Sequence, residues 1–319
     1  MKFIIGRLGR SIFLVLGAVF LSFVFASMAP GNYFDEMKLN PQISPRTIAA
    51  LHERYGLDRP VAARFSTWVS SAARGDFGYS FAFNRPVAPL LLTRAQNTLL
   101  LAVTTTLLSW LLAIPLGTWL AVRRGTWVSR IGGISVAGLL VTPDIFLALG
   151  VLIVAVRTGF FPVGGMYSVA GTDSTWRHAK DLVTHIVGPA IVLILGLLPM
   201  LTAHVRSAMS SALDSPSVRA AEAHGIGPWR IVYRYAFPLS ANPLISLFGV
   251  SLATLLSSTL LVEVIMSWPG LGPFFLEAIF ARDIYCVIGT VFLSTLFLVA
   301  GTLTADLMLY AADPRIRKP

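Results

Sequence analysis

Six apolar runs, each as long as a membrane-spanning helix, alternate with polar segments along the chain. A helix needs about 20 mostly apolar residues to cross the hydrocarbon core of a bilayer. The runs lie at residues 12–29, 97–122, 131–156, 185–205, 239–262 and 287–311. The pattern predicts an all-α integral membrane protein with six transmembrane helices.

The first run is open to two interpretations. Lys2, Arg7 and Arg10 precede it and small residues occur at 26–29, a combination that also describes a secretory signal peptide. A retained helix is favoured because the apolar stretch extends back through residues 3–5 and because further spans follow. Residues 1–29 are therefore predicted to form an N-terminal segment and the first span.

Composition supports a membrane protein. The 319 residues are 55% hydrophobic and 13% charged, with a mean hydropathy of +0.73, whereas soluble domains average about 25% charged residues. The net charge of +10 would suit nucleic acid, but the basic residues form small groups beside the apolar runs rather than one basic face. The only cysteine, Cys286, excludes an internal disulfide bond and a multi-cysteine metal site.

The basic groups indicate the orientation of the spans. One group precedes the first span, a second at residues 123–130 follows the second span, and a third at 315–318 follows the last span. With six spans all three lie on one side, which the positive-inside rule identifies as the cytoplasm. Both termini, including the tail at 313–319, are therefore predicted to be cytoplasmic.

The remaining chain divides into an external cap and a core. Residues 30–96 are predicted to be an external helical cap after the first span, with helices at 45–55 and 61–73, a turn at 75–78 and a short helix from Pro86. Residues 97–312 are predicted to form the core, with the other five spans.

Residues 215–238 are a polar island between the fourth and fifth spans. Ser215 is suited to cap a helix that Pro216 begins, and Gly225 is suited to end it in the left-handed conformation. A second short helix is expected to start at Gly227-Pro228 and to stop at Pro238. Such a helix–turn–helix on the cytoplasmic side would either dock a partner or lie on lipid, with Trp229 and the arginines at the headgroups.

Enzyme chemistry has little support in the sequence. The chain has no G-x-x-x-x-G-K-[ST] phosphate loop, no H-E-x-x-H and no G-x-S-x-G, and its five histidines are scattered. We therefore expect a protein that is not catalytic by itself and that binds no metal. An intramembrane enzyme would also need a nucleophile and a base, and no such set is recognisable.

A self-contained channel or ion-coupled secondary transporter is the rival hypothesis from another class. Asp144, Glu263 and Asp306 could carry ions, because carboxylates at membrane depth are usually functional. Glu263 and Asp306 are, however, expected near the ends of their spans, where the interface would solvate them. The two halves of the chain also show no duplication of broken spans.

The polar island resembles a known motif. Residues Arg219-Ala-Ala-Glu-Ala-His-Gly225, followed by Pro238, resemble the EAA loop of binding-protein-dependent ABC importers, the cytoplasmic loop with which a permease engages its ATPase. The glycine and the proline stand at the family spacing. Arg219, Tyr235 and Phe237 depart from the glutamate, isoleucine and leucine of the general pattern.

With Arg219 at its first position, the motif is similar to that of the dipeptide/oligopeptide/nickel branch of these permeases. Other strings resemble the same branch, in the same order: Gly56-Leu-Asp-Arg-Pro60, Arg74-Gly-Asp-Phe-Gly-Tyr-Ser80, Glu263-Val-Ile-Met-Ser-Trp-Pro-Gly-Leu-Gly272, Arg282-Asp283 and Asp313-Pro-Arg-Ile-Arg317. The resemblance covers nearly the whole chain. Within the branch, the chain resembles the first of the two paired permeases, the one that has a long external segment after its first span.

The resemblance implies a type I ABC importer permease of the bacterial inner membrane that forms half of a translocation pathway. It implies as partners a second homologous permease, two ATPase subunits that use ATP and Mg²⁺, an extracytoplasmic solute-binding protein and membrane lipid, with no nucleic acid. This chain itself would bind no cofactor.

The resemblance also makes residues 215–238 the ATPase-coupling element, which we call the coupling segment. The residues predicted for coupling are Arg219, Ala220, Ala221, Glu222, Gly225, Trp229 and Pro238. The alanines would keep the first helix thin enough for close approach to the ATPase. Arg219 and Glu222, three residues apart, would pair with each other or with charges of the partner.

Residues 263–285 are predicted to form an outer re-entrant loop. The rigid tryptophan–proline step and the glycines suit a tight turn at the external mouth. The hypothesis is an outer gate and binding-protein contact made by Glu263, Trp268, Pro269, Gly270 and Gly272. The alternative is an ordinary loop that Trp268 anchors at the membrane interface.

The cargo is the least determined property. Short peptides are the commonest cargo that the resemblance implies, with nickel–chelate complexes, glutathione and sugars as alternatives. The scattered histidines do not support direct nickel ligation. The sequence assigns no substrate-binding residues.

Overall fold

The computed structural model describes residues 2–28, 59–168 and 175–312. The predicted cap helix at 45–55 and the tail at 313–319 lie outside these ranges, as do the strings at 56–58 and 313–317. The described elements are α1 (Lys2–Met28), α2 (Val61–Ala72), β1 (Tyr79–Ser80), β2 (Arg85–Pro86), α3 (Val87–Val122), α4 (Trp127–Val141), α5 (Asp144–Thr158), α6 (Thr175–Leu213), α7 (Pro216–Ala223), α8 (Pro228–Arg230), a π-helical turn (Ile231–Ala236), α9 (Phe237–Ile265), α10 (Leu271–Phe280) and α11 (Ile284–Ala312).

The predicted all-α membrane fold is confirmed. Among the described residues, five helices are long and apolar enough to cross a membrane, or six if one sharply bent pair counts as a single span. The five lie at Gly6–Met28, Val87–Val122, Thr175–Leu213, Pro228–Leu252 and Ile284–Ala311. Several helices are longer than their apolar runs, because hydrogen bonding continues into the flanking polar residues. Residues 87–96, expected in the cap, form the first turns of α3.

The third predicted span, 131–156, is not one continuous helix. It consists of α4 and α5, which meet at an angle of 101°. Pro143 has no amide hydrogen for a helical bond, and it disfavours the helical conformation of the residue before it. Thr142 accordingly has φ −78° and ψ 117°, and α5 starts directly after the proline.

The described chain divides into two compact units. Unit 1 comprises the described residues within 1–98 and 269–299. One of its apolar cores gathers Val87, Leu91 and Phe274, and the other gathers Phe23, Trp68 and Ile288. The strands β1 and β2 form a small antiparallel hairpin that pairs Tyr79 with Pro86 and Ser80 with Arg85.

Unit 2 comprises the described residues within 99–268 and 300–319. Its central helix, α6, packs against α4, α5 and α9. The close packing uses small residues: a Cβ atom added at Gly117 of α3 would lie 2.6 Å from the Cβ of Val205 on α6. Interfaces between transmembrane helices favour such residues because they let two backbones approach.

Candidate functional site

The first half of the coupling segment folds as the short helix α7, Pro216–Ala223. The hydroxyl of Ser215 accepts a hydrogen bond from the amide of Val218 at 3.4 Å, which satisfies a donor that has no helical partner. Pro216 occupies the first turn, where its missing amide hydrogen does no harm. The predicted start of this helix is confirmed.

Gly225 ends α7 as the sequence predicted. It has φ +74°, in the left-handed region. Its amide donates to the carbonyl of Glu222 at 2.9 Å, and the amide of Ile226 donates to the carbonyl of Ala221 at 3.2 Å. These two bonds define a Schellman motif, in which a left-handed residue reverses the chain after the last turn of a helix.

The two faces of α7 have different surroundings. Val218 and Ala221 are buried in a core with residues of α6 and the π-helical turn, among them Met209 and Val232. Arg219, Ala220, Glu222 and Ala223 are exposed. The structure thus gathers three of the predicted coupling residues, Arg219, Ala220 and Glu222, on one free face. The fourth, Ala221, was expected on that face to allow close approach of the partner, and it instead allows close approach of α7 to its own core.

A bidentate ion pair joins the residue just before the coupling segment to the turn that follows α3. The Nη1 and Nη2 atoms of Arg124 lie 2.6 and 2.7 Å from the carboxylate oxygens of Asp214. The hydrogen bond from Arg124 lowers the pKa of Asp214, and the same bond raises the pKa of the Arg124 guanidinium. Planar, two-point pairing of this kind fixes geometry as well as charge.

Arg219 and Glu222 line a cleft of about 620 Å³ beside this ion pair. Among the described residues neither side chain forms an ion pair, so the first of the two predicted alternatives, pairing with each other, is not observed, and pairing with charges of a partner stays a prediction. Both charges on the face of α7 are therefore available to another molecule.

The second half of the coupling segment is not the separate short helix, stopping at Pro238, that the sequence predicted. The chain passes from α8 through the π-helical turn Ile231–Ala236 directly into α9, with Pro238 in the first turn of α9. The amide of Phe237 donates to the carbonyl of Val232, five residues earlier. This wider turn lets the helix continue past the proline, whose ring and missing amide hydrogen would disrupt a regular α-helical turn.

Trp229 is exposed, as a docking anchor must be. Its ring stacks on that of Tyr233 with 6.0 Å between centroids, and the two side chains are 71% and 63% exposed. Both line an apolar groove of about 680 Å³ with Pro115 and Trp119 of α3. Large exposed aromatic groups of this kind are typical of contact surfaces for protein or lipid.

The outer loop has a buried rather than an exposed beginning. Glu263 and Trp268 are both 0% exposed, and the amide of Trp268 donates to the carbonyl of Glu263 at 2.8 Å. The expectation that the interface solvates Glu263 is therefore wrong, because α9 extends to Ile265 and carries this residue inside unit 2. The ring of Trp268 belongs to the core of unit 2, so this chain does not offer it as a surface anchor.

The rest of the predicted outer site lies in unit 1. The carbonyl of Pro269 accepts a hydrogen bond from Nδ2 of Asn97 at 2.8 Å. Gly270 and Gly272 are buried at the start of α10, where the amide of Leu271 donates to Oγ1 of Thr98 at 2.8 Å. The loop thus contains a ten-residue helix, α10, which the sequence analysis did not predict.

Sequence reasoning also missed a buried polar cluster in unit 1. Ser80 and Asp283 are both 0% exposed, and Ser80 Oγ donates to Asp283 Oδ2 at 2.6 Å. The two residues belong to strings that carried the family resemblance, and only their tertiary contact was unpredicted. Within the described residues, no group of three or more His, Cys, Asp or Glu side chains is placed to hold a metal ion.

Several apolar spans, together with one broken helix pair, define a multi-pass membrane protein. The chain belongs to the family of binding-protein-dependent transport system inner membrane components, whose sequence model matches residues 113–318. It is a permease subunit of an ABC importer, as the sequence analysis predicted.

Two curated relatives cover almost the whole chain. The chain is 32% identical to the oligopeptide transport system permease protein AppB of Bacillus subtilis (strain 168), over 98% of both proteins. It is 29% identical to the dipeptide transport system permease protein DppB of Escherichia coli (strain K12), over 99% of both proteins.

A solved structure supports the fold. The inward-facing MetNI methionine ABC transporter contains a chain that matches with a TM-score of 0.55 and 20% sequence identity, over 70% of this chain and 96% of that chain. At this identity the likeness concerns the fold alone, and it confirms the type I permease architecture.

Proposed function

We propose that this chain forms half of the translocation pathway of an ATP-driven importer for short peptides, which a solute-binding protein delivers. The observation that carries the proposal is the match to AppB over 98% of both chains, because it includes the external segment as well as the core. The second relative, a dipeptide permease, supports the same cargo class.

The working complex would contain a second homologous permease, two ATPase subunits and the solute-binding protein. ATP and Mg²⁺ would be used by the ATPases, and this chain would be neither catalytic nor a holder of cofactors. It would lie in a bacterial inner membrane with both termini in the cytoplasm, because its arginine-rich connections then follow the positive-inside rule.

The exposed face of α7 would be the surface that the ATPase binds. Arg219 and Glu222 offer one charge of each sign there, and Ala220 and Ala223 leave the backbone accessible between them. A neighbouring subunit could therefore approach the helix closely and be aligned by its charges.

The buried face of α7 would transmit the movement of the ATPase into the spans. Val218 and Ala221 pack against α6 and the π-helical turn, and close-packed interiors transmit displacement rather than absorb it. Two further links act in parallel: the continuous passage from α8 into α9, and the ion pair between Asp214 and Arg124 at the end of α3. Three spans are thus tied to one short helix.

The buried part of the outer loop would support the external gate from within the protein. Because Glu263, Trp268, Gly270 and Gly272 are buried, we assign them a supporting role beneath the gate, and we assign the contact with the binding protein to the half-buried Pro269. Gly270 and Gly272 would let the turn after Pro269 pack without side chains.

The test is uptake of a radiolabelled dipeptide into proteoliposomes that contain the whole importer. Ala220→Trp adds bulk to the exposed face of α7, and Ala62→Trp adds the same bulk to an exposed position of α2 in unit 1. We expect Ala220→Trp to reduce ATP-dependent uptake at least tenfold while the permease still reaches the membrane, and Ala62→Trp to leave uptake unchanged.

Equal uptake by the two variants would show that α7 does not couple to the ATPase. ATP-dependent uptake of a sugar, glutathione or a nickel–chelate complex, without uptake of peptides, would support the ABC importer and show that the proposed peptide cargo is wrong. Ala221→Trp is unsuitable for this test, because it would overpack a buried site whatever the function of α7.

A further inference from the structure

A cavity of about 480 Å³ lies within unit 1. Its volume is in the range of small-molecule pockets, about 300–1,000 Å³. Charged and aromatic groups share its wall, among them Arg59, Arg64, Asp76, Trp68, Tyr79 and Tyr285. The family resemblance assigned no role to this cavity, which belongs to the region predicted to face outward.

Arg64 has unused hydrogen-bonding capacity. Its Nε and Nη2 atoms are covered from solvent, and among the described residues neither has a hydrogen-bond partner. The guanidinium lies 5.9 Å from the ring centroid of Phe23, a contact that satisfies its charge in part but none of its N–H groups. Native proteins rarely leave buried donors unpaired, so these two donors call for a partner, which a water molecule, an ion or a ligand can supply.

The identity of the two unpaired atoms indicates the kind of ligand. Nε–H and Nη2–H lie on the same edge of the planar guanidinium and point in the same direction. This edge matches the two oxygens of a carboxylate in a bidentate pair. The geometry therefore favours a two-oxygen acceptor, a carboxylate or a phosphate, over a single-point acceptor, and the negative charge of Asp76 in the same wall favours the less highly charged carboxylate.

The other charges of the cavity agree with a small zwitterion. Arg59 adds a second positive charge to the wall, and Asp76 adds a negative one. The Oδ1 atom of Asp76 accepts the amide of Gly78 at 2.9 Å, which holds the carboxylate in place. A molecule with a carboxylate at one end and an ammonium group at the other would complement both signs.

We propose that this cavity binds a small free carboxylate, and that a short zwitterionic peptide is its ligand class. On binding, the Arg64 guanidinium would turn from the Phe23 ring toward the cavity that its side chain already lines, and would pair with both carboxylate oxygens. The carboxylate site is independent of the proposed transport function, whereas the choice of a peptide rests on it.

The experiment is calorimetric titration of the full-length chain in lipid nanodiscs with glycylglycine, its C-terminal amide and acetate. The variants are Arg64→Gln and Arg64→Lys, with Arg74→Gln as the matched control, because Arg74 is an exposed arginine of the same unit that does not line the cavity. We expect glycylglycine to bind at least tenfold more weakly to Arg64→Gln, because the two-point pairing is lost.

Arg64→Lys should also bind more weakly, since lysine keeps the charge but not the parallel donors, while Arg74→Gln should match the unaltered chain. The amide should bind at least tenfold more weakly than glycylglycine. The Arg64→Gln chain should still unfold cooperatively in a thermal melt, with at most the small fall in melting temperature that follows from losing the contact with the Phe23 ring.

Equal binding of the peptide and its amide, or equal binding by Arg64→Gln and the unaltered chain, would overturn the proposal. Arg64-dependent binding of acetate without binding of glycylglycine would keep the carboxylate site and overturn the peptide as its ligand. The cargo is tested separately by uptake of the dipeptide into proteoliposomes, so the two failures are distinguishable.

Discussion

The hydroxyl of Ser80 donates a 2.6 Å hydrogen bond to Oδ2 of Asp283, although 203 residues separate the two in the chain. The same oxygen accepts the amide of Ala82 at 3.1 Å, and Oδ1 of Asp283 accepts the amide of Cys286 at 3.3 Å. A fully buried carboxylate is tolerated because protein donors replace its water. This cluster joins the β1–β2 hairpin to the start of α11 within unit 1.

Ser80→Ala should therefore destabilise unit 1. Loss of the hydroxyl leaves the buried Asp283 carboxylate with one donor fewer, which costs about 1–3 kcal/mol because desolvation of the charge is no longer offset. Thermal unfolding of the purified chain in detergent measures the effect. The control is Tyr79→Phe, which removes an exposed 2.7 Å hydrogen bond to Asn84 in the same hairpin. Equal melting temperatures for the two variants would show that burial of this cluster carries no special stability.

Gly225 and Gly227 provide a matched pair for the turn in the coupling segment. A Cβ atom would meet nothing within 4 Å at either position, but Gly225 has φ +74° whereas Gly227 has φ −62°. Gly225→Ala should destabilise the end of α7 by about 1–2 kcal/mol through its backbone conformation alone, whereas Gly227→Ala requires no left-handed residue and should leave the end of α7 unchanged. Hydrogen exchange of the Ile226 amide reports the difference. Faster exchange in both variants, or in neither, would contradict the Schellman geometry.

The Arg124–Asp214 pair should transmit force rather than sense pH. A carboxyl group whose pKa falls on folding stabilises the fold above its unfolded pKa of about 3.9, and the contribution is lost only as the pH falls through the lowered value. From pH 8 to pH 5 the pair should therefore stay intact, which a ¹³C NMR titration of Asp214 can follow. A midpoint at or above the usual value would contradict the bidentate pairing.

The same pair predicts a rescue in transport. Asp214→Arg should lower ATP-dependent uptake several-fold because two positive charges then face each other, and the double variant with Arg124→Asp should recover it. Arg123→Asp combined with Asp214→Arg is the control for a nonspecific gain of negative charge. Equal recovery of ATP-dependent uptake by both double variants would show that coupling does not depend on the specific pairing of Arg124 with residue 214.

Close helix packing in unit 2 predicts a difference between two glycines inside helices. A Cβ atom at Gly117 would lie 2.6 Å from the Cβ of Val205 and 2.9 Å from the carbonyl oxygen of Thr202, whereas one at Gly138 would meet nothing within 4 Å. Gly117→Ala should separate α3 from α6 and lower stability by about 1–3 kcal/mol, while Gly138→Ala should be neutral or stabilising. Thermal unfolding in detergent distinguishes the two, and equal effects would argue against the close approach.

The sequence was sufficient for features that depend on local chemistry. Hydropathy identified the membrane helices, because every backbone polar group in a bilayer must be bonded within its own segment. The cap at Ser215 and the stop at Gly225 were predictable for a similar reason, since each depends on one residue type at one position.

Features that depend on distant contacts were not predictable. Pro143 and Pro238 have the same local chemistry, yet the first accompanies a 101° bend and the second sits in a helix that a π-helical turn keeps continuous. The inward position of Ala221 and the burial of Glu263 depend on which neighbours pack against them. Hydropathy predicts how many spans a chain has, but it does not predict which side chains of a span face the protein interior.

Cross-linking from the exposed face of α7 tests the central claim most directly. The chain has a single cysteine, Cys286, which is free and buried, so an introduced thiol can be the reactive one. Ala220→Cys, treated with a short thiol-to-amine cross-linker in the assembled importer, should be linked to the ATPase subunit, with a yield that changes when ATP is added. Ala62→Cys, exposed on α2, should not be linked to that subunit. A chain in which Ala220→Cys fails to reach the ATPase in any nucleotide state, while transport remains active, would contradict the account.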